Sequence, residues 1–264
     1  MAATAIDRGA AGAEPDDSPE RRARRALAEN PRLWYHTIEL APGIATPGYI
    51  DLRKTAERVL PDDLSGKRAL DVGPFDGFWS FEIERRGAEV LAADVPSPDE
   101  LDIPPPNRDR LAAQTEREGF EFGRGFRLAA EALGSGVVRV ERNVYDLDLD
   151  AVGGPVDFAF AGAILIHLRN PVLALERIRS LLAPGGELRS FEPLSARMTL
   201  RSPRRPAAQF RPLETDFTWW LPNLRALSAW PRAAGFDAVR RVAFARPPCA
   251  ERTWYAALAC TAAS

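Results

Sequence analysis

The sequence predicts an α/β protein: a largely parallel sheet with helices on both faces. Three observations carry that reading. From Lys67 onward, short apolar and β-branched runs alternate with helical patterns, as in strand-crossover-strand units. The 264 residues, 45% of them hydrophobic, suffice for one large core. The stretch ALDVGPFDGFWSFEIERRGAEVLAADV, residues 69–95, packs a strand, a glycine-flanked turn, a helix and a second strand ending in an acid into the front half of a βαβ unit.

Residues 1–17 are rich in Ala, Gly and acids without periodicity, and are expected to be a disordered tail. Residues 18–66 are expected to form an N-terminal helical cover. Ser18 as N-cap and Pro19 in the first turn start a short basic helix, whose RRARR run either lies in solvent or touches phosphates. An aromatic segment with LWYHTIEL, Pro/Gly turns and a helix follow, and such a segment can close over a site. Residues 67–264 then read as strand 68–73, helix 77–87, strand 89–94, helix 125–133, strand 137–143, strand 156–161, helix 171–183 and strand 186–192. A Pro-Gly-Gly turn at 184–186 separates the last two. Pro and Arg break the pattern at 195–218, which reads as an insertion. A helix at about 223–234, a strand within AGFDAVRRVAFA and a last strand in RTWYAALACT complete the chain.

Composition narrows the partners. The net charge of −2 offers no global attraction for nucleic acid and leaves only a local basic patch. Cys249 and Cys260 form no CxxC pair and no cluster with His, so neither a disulfide framework nor a metal site is expected. The N-terminus lacks the apolar core of a signal peptide, and FAFAGAILIHL is too short to span a bilayer. The expectation is a cytoplasmic protein with neither membrane nor metal partner.

In open parallel sheets, ligands lie beyond the carboxyl ends of the strands, at the switch in strand order. Asp71, Gly73, Pro74, Phe75, Asp76 and Gly77 occupy that place. A dinucleotide needs a second glycine two residues after the first, so that backbone can approach its pyrophosphate, and Phe75 blocks that approach. S-adenosylmethionine has no pyrophosphate and suits a D-x-G-x-x-x-G turn. Backbone from Gly73 to Gly77 would lie beside its amino-acid and ribose parts, with Asp71 offsetting the ammonium group directly or through water. Asp94, followed by Val95, ends the second strand where a carboxylate meets ribose hydroxyls. Asp146 follows the third strand and would meet the adenine amino group, with Tyr145 or Val144 against the ring. Ala161 and Gly162, ending the fourth strand, complete the candidate set. Each acid alone reads equally as a loop cap. A non-catalytic adenosyl-binding module and a nicotinamide-dependent oxidoreductase stand as alternatives.

With these residues in place, the chain from about residue 30 resembles class I S-adenosylmethionine-dependent methyltransferases, and within them the tRNA wobble-uridine methyl- and carboxymethyltransferase type. The resemblance is carried by DLSGKRALDVGPFDGFWS, VDFAFAGAILIHLRNPVLALERIRSLLAPGGEL and WWLPNLRALSAWPRAAGFDAVR. It implies a Rossmann-like seven-stranded sheet in order 3-2-1-4-5-7-6 with the last strand antiparallel. In the carboxymethylating members a Lys before the sheet, a Tyr after the fourth strand and an Arg in the final strand hold a carboxylated cofactor. Here His36, Ile166 and Arg252 align with them, and two of the three depart. A buried extra carboxylate needs paired donors, so plain methyl transfer is implied.

His36 and His167 alone titrate near neutrality and are the candidate catalytic residues, His167 serving either chemistry or bracing of the next helix. Trp219, Trp220, Pro222 and Asn223 read as an acceptor wall or as plain packing. Arg201, Arg204, Arg205 and Arg211 read as a site for an anionic acceptor, RNA included, or as a solvated loop. The expected function is methyl transfer to a small molecule, at oxygen; the alternative is a tRNA wobble-uridine modifying enzyme.

Overall fold

The computed structural model describes residues 17–31, 33–119, 121–212, 217–248 and 253–262. The expected tail, up to residue 16, and Arg252 lie outside them.

Helix α1 (Pro19–Glu29) starts at the expected cap, with Ser18 Oγ accepting from the Arg21 N–H. Its arginines do not all face solvent: Arg22 Nε donates to the Ala132 carbonyl at 3.4 Å and Arg25 pairs with Glu131. A small hairpin, Glu39–Ala41 with Ile44–Ala45, and α2 (Arg53–Val59) lead to the sheet. Then follow β1 (Arg68–Val72), α3 (Phe78–Glu84), β2 (Glu89–Asp94), α4 (Pro105–Glu118), α5 (Arg124–Leu133) and β3 (Val138–Glu141). The second half holds β4 (Val156–Gly162), α6 (Pro171–Leu181), β5 (Leu182–Leu194), α7 (Ala196–Arg201), α8 (Leu224–Ala233), β6 (Ala238–Ala245) and β7 (Trp254–Thr261).

The seven strands lie in order β6-β7-β5-β4-β1-β2-β3. β7 runs antiparallel to both of its neighbours, and the remaining pairs are parallel. Read from the other edge, this is the order the resemblance implies. Alternation along β1 sends Ala69 to one face and Leu70 to the other, as strand geometry requires. The first face packs α1, α2, α3 and α5, through Ala23, Ala56, Phe81 and Phe126 among others. The cover therefore shares its core with the sheet. The second face packs α6 and α8, through Leu175, Ile178 and Leu227.

Three differences from the sequence reading have local causes. The Pro-Gly-Gly turn is absorbed into β5: Val156 pairs with Leu182 and Phe158 with Glu187, so the extra residues bulge out, with Gly185 at φ 76°. Helix α4, whose sequence opens on two prolines and is charged on every side, has no apolar stripe to announce it. The insertion holds α7 and a hairpin, Ala208–Phe210 with Trp220–Pro222, rather than irregular chain alone. No helix among the described residues is long and apolar enough to cross a membrane.

Candidate active site at the carboxyl edge

β1 ends in a turn that demands left-handed backbone three times, at Gly73 (φ 72°), Phe75 (φ 54°) and Gly77 (φ 90°). A Cβ on Gly77 would lie 2.5 Å from the Phe81 ring and 2.8 Å from Phe126, so only glycine fits. Phe75 adopts this conformation against its steric preference, and its N–H is turned onto Asp94 Oδ2 at 3.3 Å. Its ring is exposed and meets Tyr35 edge-on, while Tyr35 stacks on Tyr49.

Asp94 ends β2 half-buried. Its second oxygen, Oδ1, accepts from the Val95 N–H at 2.9 Å. Burial raises its pKa, with the two backbone N–H groups and Arg139 opposing. Beside it opens a small crevice of about 40 Å³, bounded by Leu33, Phe75, Asp76, Asp94, Phe122 and Arg124. Phe122 and Arg124, which follow α4, were not singled out by the sequence.

Several expected contacts are placed differently. Asp71 is only 1% exposed and accepts from Ser80 Oγ at 2.6 Å, which leaves it no direct reach to a ligand ammonium group. Burial lifts its pKa to about 7; nearby Asp94 adds to the rise, while Ser80 and His36 oppose it. Asp76, 2% exposed, receives the backbone N–H of Tyr35 at 3.0 Å, that of His36 at 2.8 Å and His36 Nδ1 at 2.5 Å. Its carboxylate thus fastens the N-terminal segment to the glycine turn. The His36 ring is buried, stacked on Phe78 with centroids 5.3 Å apart. Pro74 and Val95 are buried, and Ala161 lies wholly inside the sheet and offers no surface. Gly162 is half-buried at the strand end.

Tyr145 does not offer a free hydroxyl to an adenine. It donates to Asp102 Oδ2 at 2.7 Å and accepts from the Asn170 N–H at 3.0 Å. Its pKa is raised, chiefly by burial. Val144 is buried, and Asp146 is exposed just past β3. Asp102, which the sequence did not mark, also takes the Arg169 N–H at 2.7 Å, so one acid joins the segments after β2, β3 and β4.

The turn after β4 carries His167 and Ile166. His167 Nδ1 lies 2.8 Å from the Phe217 carbonyl, so this nitrogen bears the hydrogen and Nε2 keeps the lone pair. Burial lowers its pKa, with the Phe217 bond partly opposing. Beneath the turn sits Glu192, 1% exposed, whose Oε1 accepts from Ile164 N at 3.1 Å and Leu165 N at 3.0 Å. Its Oε2 has no hydrogen-bond partner among the described residues, and burial raises its pKa to about 8. An acid inside the apolar run of β5 was the signal available for it.

Of the expected acceptor wall, Asn223 is fully buried. It caps α8 through the Ala226 N–H at 2.8 Å and fastens Ser202 O, Arg205 O and Ala207 N. Trp219 and Pro222 are buried too, and Trp219 Nε1 donates to the Asp102 carbonyl. Trp220 remains half-exposed beside the site.

Set against known proteins, residues 49–241 match the family model described as a methyltransferase domain. The chain belongs to this methyltransferase family. It is of the class I, S-adenosylmethionine-dependent type. A tRNA U34 carboxymethyltransferase of Idiomarina loihiensis is 29% identical over 188 residues, which are 68% of this chain and 49% of that protein. The methyltransferase chain thus spans about half the length of the curated relatives it matches. A magnesium-protoporphyrin O-methyltransferase of Rhodobacter capsulatus is 48% identical over 52 residues, 20% of this chain and 21% of that one. Among solved structures, the N-terminal domain of EvdMO1 with SAH bound superposes with TM-score 0.55 at 15% identity, covering 93% of this chain and 97% of that one. An O-methyltransferase family protein from Burkholderia thailandensis gives TM-score 0.50 at 18% identity, covering 81% and 56%. At such identities the structural likeness speaks for the methyltransferase fold.

Proposed function

We propose that the chain transfers a methyl group from S-adenosylmethionine to an oxygen of a small-molecule acceptor, with the 18–66 segment as cover. The observation that carries the acceptor chemistry is the His167 hydrogen bond: its Nδ1–H is directed to the Phe217 carbonyl at 2.8 Å, which leaves the Nε2 lone pair available. A hydroxyl acceptor must shed a proton as it is alkylated, and a neutral imidazole is suited to take it.

The residues present fit the cofactor. Each Asp94 oxygen uses one backbone N–H, which leaves lone pairs for two ribose hydroxyls, and a crevice opens beside it. When bound, S-adenosylmethionine supplies a sulfonium methyl group with a good leaving group. Asp94 and the backbone from Gly73 to Gly77 hold its sugar and amino-acid parts, exposed Asp146 serves the adenine edge, and Phe75 with Tyr35 shields the crevice from water. Buried Asp71 acts through its field rather than by contact. His36 stands in the place of the Lys of carboxymethylating relatives, but next to the Asp76 carboxylate, which would repel a further carboxylate on the cofactor. This supports the plain cofactor.

A tRNA acceptor, the substrate for which the curated relatives are named, is the second reading, supported by their identity of 26–29% over most of this chain. Incubation with methyl-labelled S-adenosylmethionine and two acceptor pools, metabolites and bulk tRNA, separates the two. Label in a small molecule is expected. Label confined to tRNA would overturn the proposal, and mass spectrometry of co-purifying ligand checks the cofactor.

A further inference from the structure

Between Glu192 and Glu214 the sequence carries five arginines and no acid. Arg197, Arg201, Arg204 and Arg205 are exposed, and no hydrogen bond or ion pair engages their side chains among the described residues. This sets them apart. Elsewhere arginines are widely paired, as Arg53 with Asp51, Arg86 with Glu82 and Arg189 with Glu187.

The same segment bears the two most exposed large apolar side chains among the described residues, Leu200 at 82%, beside Arg201 in α7, and Phe210 at 58%, in the hairpin. The loop is held rather than loose: Asn223 Nδ2 donates to Ser202 O at 3.1 Å and Arg205 O at 2.9 Å, and Asn223 Oδ1 accepts from Ala207 N at 3.1 Å. Its hairpin is moored to the post-β4 turn by Trp219 N to Ile166 O at 2.9 Å and Trp220 Nε1 to Arg169 O at 3.2 Å. A fixed surface that presents cations and apolar tips together matches a partner offering anions and hydrocarbon together.

We infer that this face docks on an anionic phospholipid surface, Arg197, Arg201, Arg204 and Arg205 meeting headgroups while Leu200 and Phe210 enter the acyl boundary. The docking is peripheral and departs from the expectation of no membrane partner; it does not depend on which acceptor is methylated. RNA fits less well. It offers Leu200 no apolar surface, and with five arginines here in a chain of net charge −2, the remainder carries a net −7 that opposes wrapping by a large polyanion. A flat bilayer touches only the local patch, the rest lying beyond a screening length of about 8 Å.

The test is co-sedimentation of the full chain with vesicles of phosphatidylglycerol and phosphatidylcholine, and of phosphatidylcholine alone, across salt concentrations. Salt-sensitive binding to the anionic vesicles alone is expected. The triple variant R201E/R204E/R205E, its fold verified by circular dichroism, is expected to bind on the order of 100-fold more weakly, from about 1 kcal/mol per arginine near the surface. L200S/F210S is expected to weaken partitioning while keeping its salt dependence. Absence of binding to anionic vesicles, or equal binding by the triple variant, would overturn the inference. So would bulk tRNA captured by the wild type and lost in the triple variant while vesicles are ignored.

Discussion

Two regions of the molecule, the glycine turn with its cover and the 195–222 insertion, keep their charges in opposite ways. In the glycine-turn region, Asp71 and Asp76 are buried and spent on fixed donors, Ser80 Oγ for one and the Tyr35–His36 segment for the other. In the insertion, four arginines are exposed and without side-chain partners among the described residues, and a neutral amide, Asn223, holds the backbone beneath them. Buried charges set geometry because leaving their partners unpaired is costly; exposed ones leave the fold nearly indifferent and are free to be matched by something outside. The first region should therefore respond to mutation through stability and the second through binding.

The largest effect is expected at Asp76. Asp76→Ala strands the backbone N–H of Tyr35, the buried one of His36 and the His36 ring N–H, and removing one side of a buried polar pair costs about 3–5 kcal/mol. Urea denaturation should show the midpoint falling, with the N-terminal segment exposed to protease. A loss below about 1 kcal/mol would mean that the segment is held elsewhere.

A pH series sharpens the same contrast. Burial lifts Glu192 from 4.5 to about 8 and Asp71 from 3.8 to about 7. Each value is higher in the folded than in the unfolded chain, so the folded state holds extra protons. Their contribution to stability is complete below about pH 4 and is lost as the pH rises through 7 to 8. The wild type should melt lower at pH 9 than at pH 6, by an amount on the order of a few kcal/mol at most. Glu192→Gln keeps an acceptor for Ile164 and Leu165 and should flatten the curve, leaving the share due to Asp71. An unchanged slope would show that Glu192 is ionised throughout.

The same contrast explains what could be read from the chain. The strands were legible because β1, β2 and β4 are apolar runs closed by Asp94 or glycine, their order through the family resemblance, and the turn because Gly73 and Gly77 sit where positive φ is needed. The use of Asp76 was not, because its three donors lie 40 or 41 residues away and only folding brings them together. Glu192, Asp102 and Asn223 were missed or misplaced for the same reason. Each is a single polar residue whose partners come from distant loops. Helix α4 was lost because solvent meets most of its surface and leaves no period to read.

At Asp94 the stakes are binding rather than fold. Asp94→Ala removes the acceptor proposed for the ribose, and the loss of a charged hydrogen-bonded group is worth about 2 kcal/mol, or about a 30-fold rise in Kd for S-adenosylmethionine. Calorimetric titration checks it. Unchanged affinity would remove the ribose from Asp94 and with it the placement of the cofactor in the crevice.

The smallest effect on stability is expected where charge is most concentrated. Replacing Arg204 by Glu in the exposed loop breaks no contact among the described residues and relieves repulsion from Arg201 and Arg205, so the melting midpoint should hold or rise slightly, within about 0.5 kcal/mol. Low salt should enlarge the gain and high salt erase it, since only screened surface charge is involved. A loss of 1 kcal/mol or more would show that Arg204 has a partner within the chain. The arginine segment would then belong with the locked glycine turn, and the opposition between the two regions would fail.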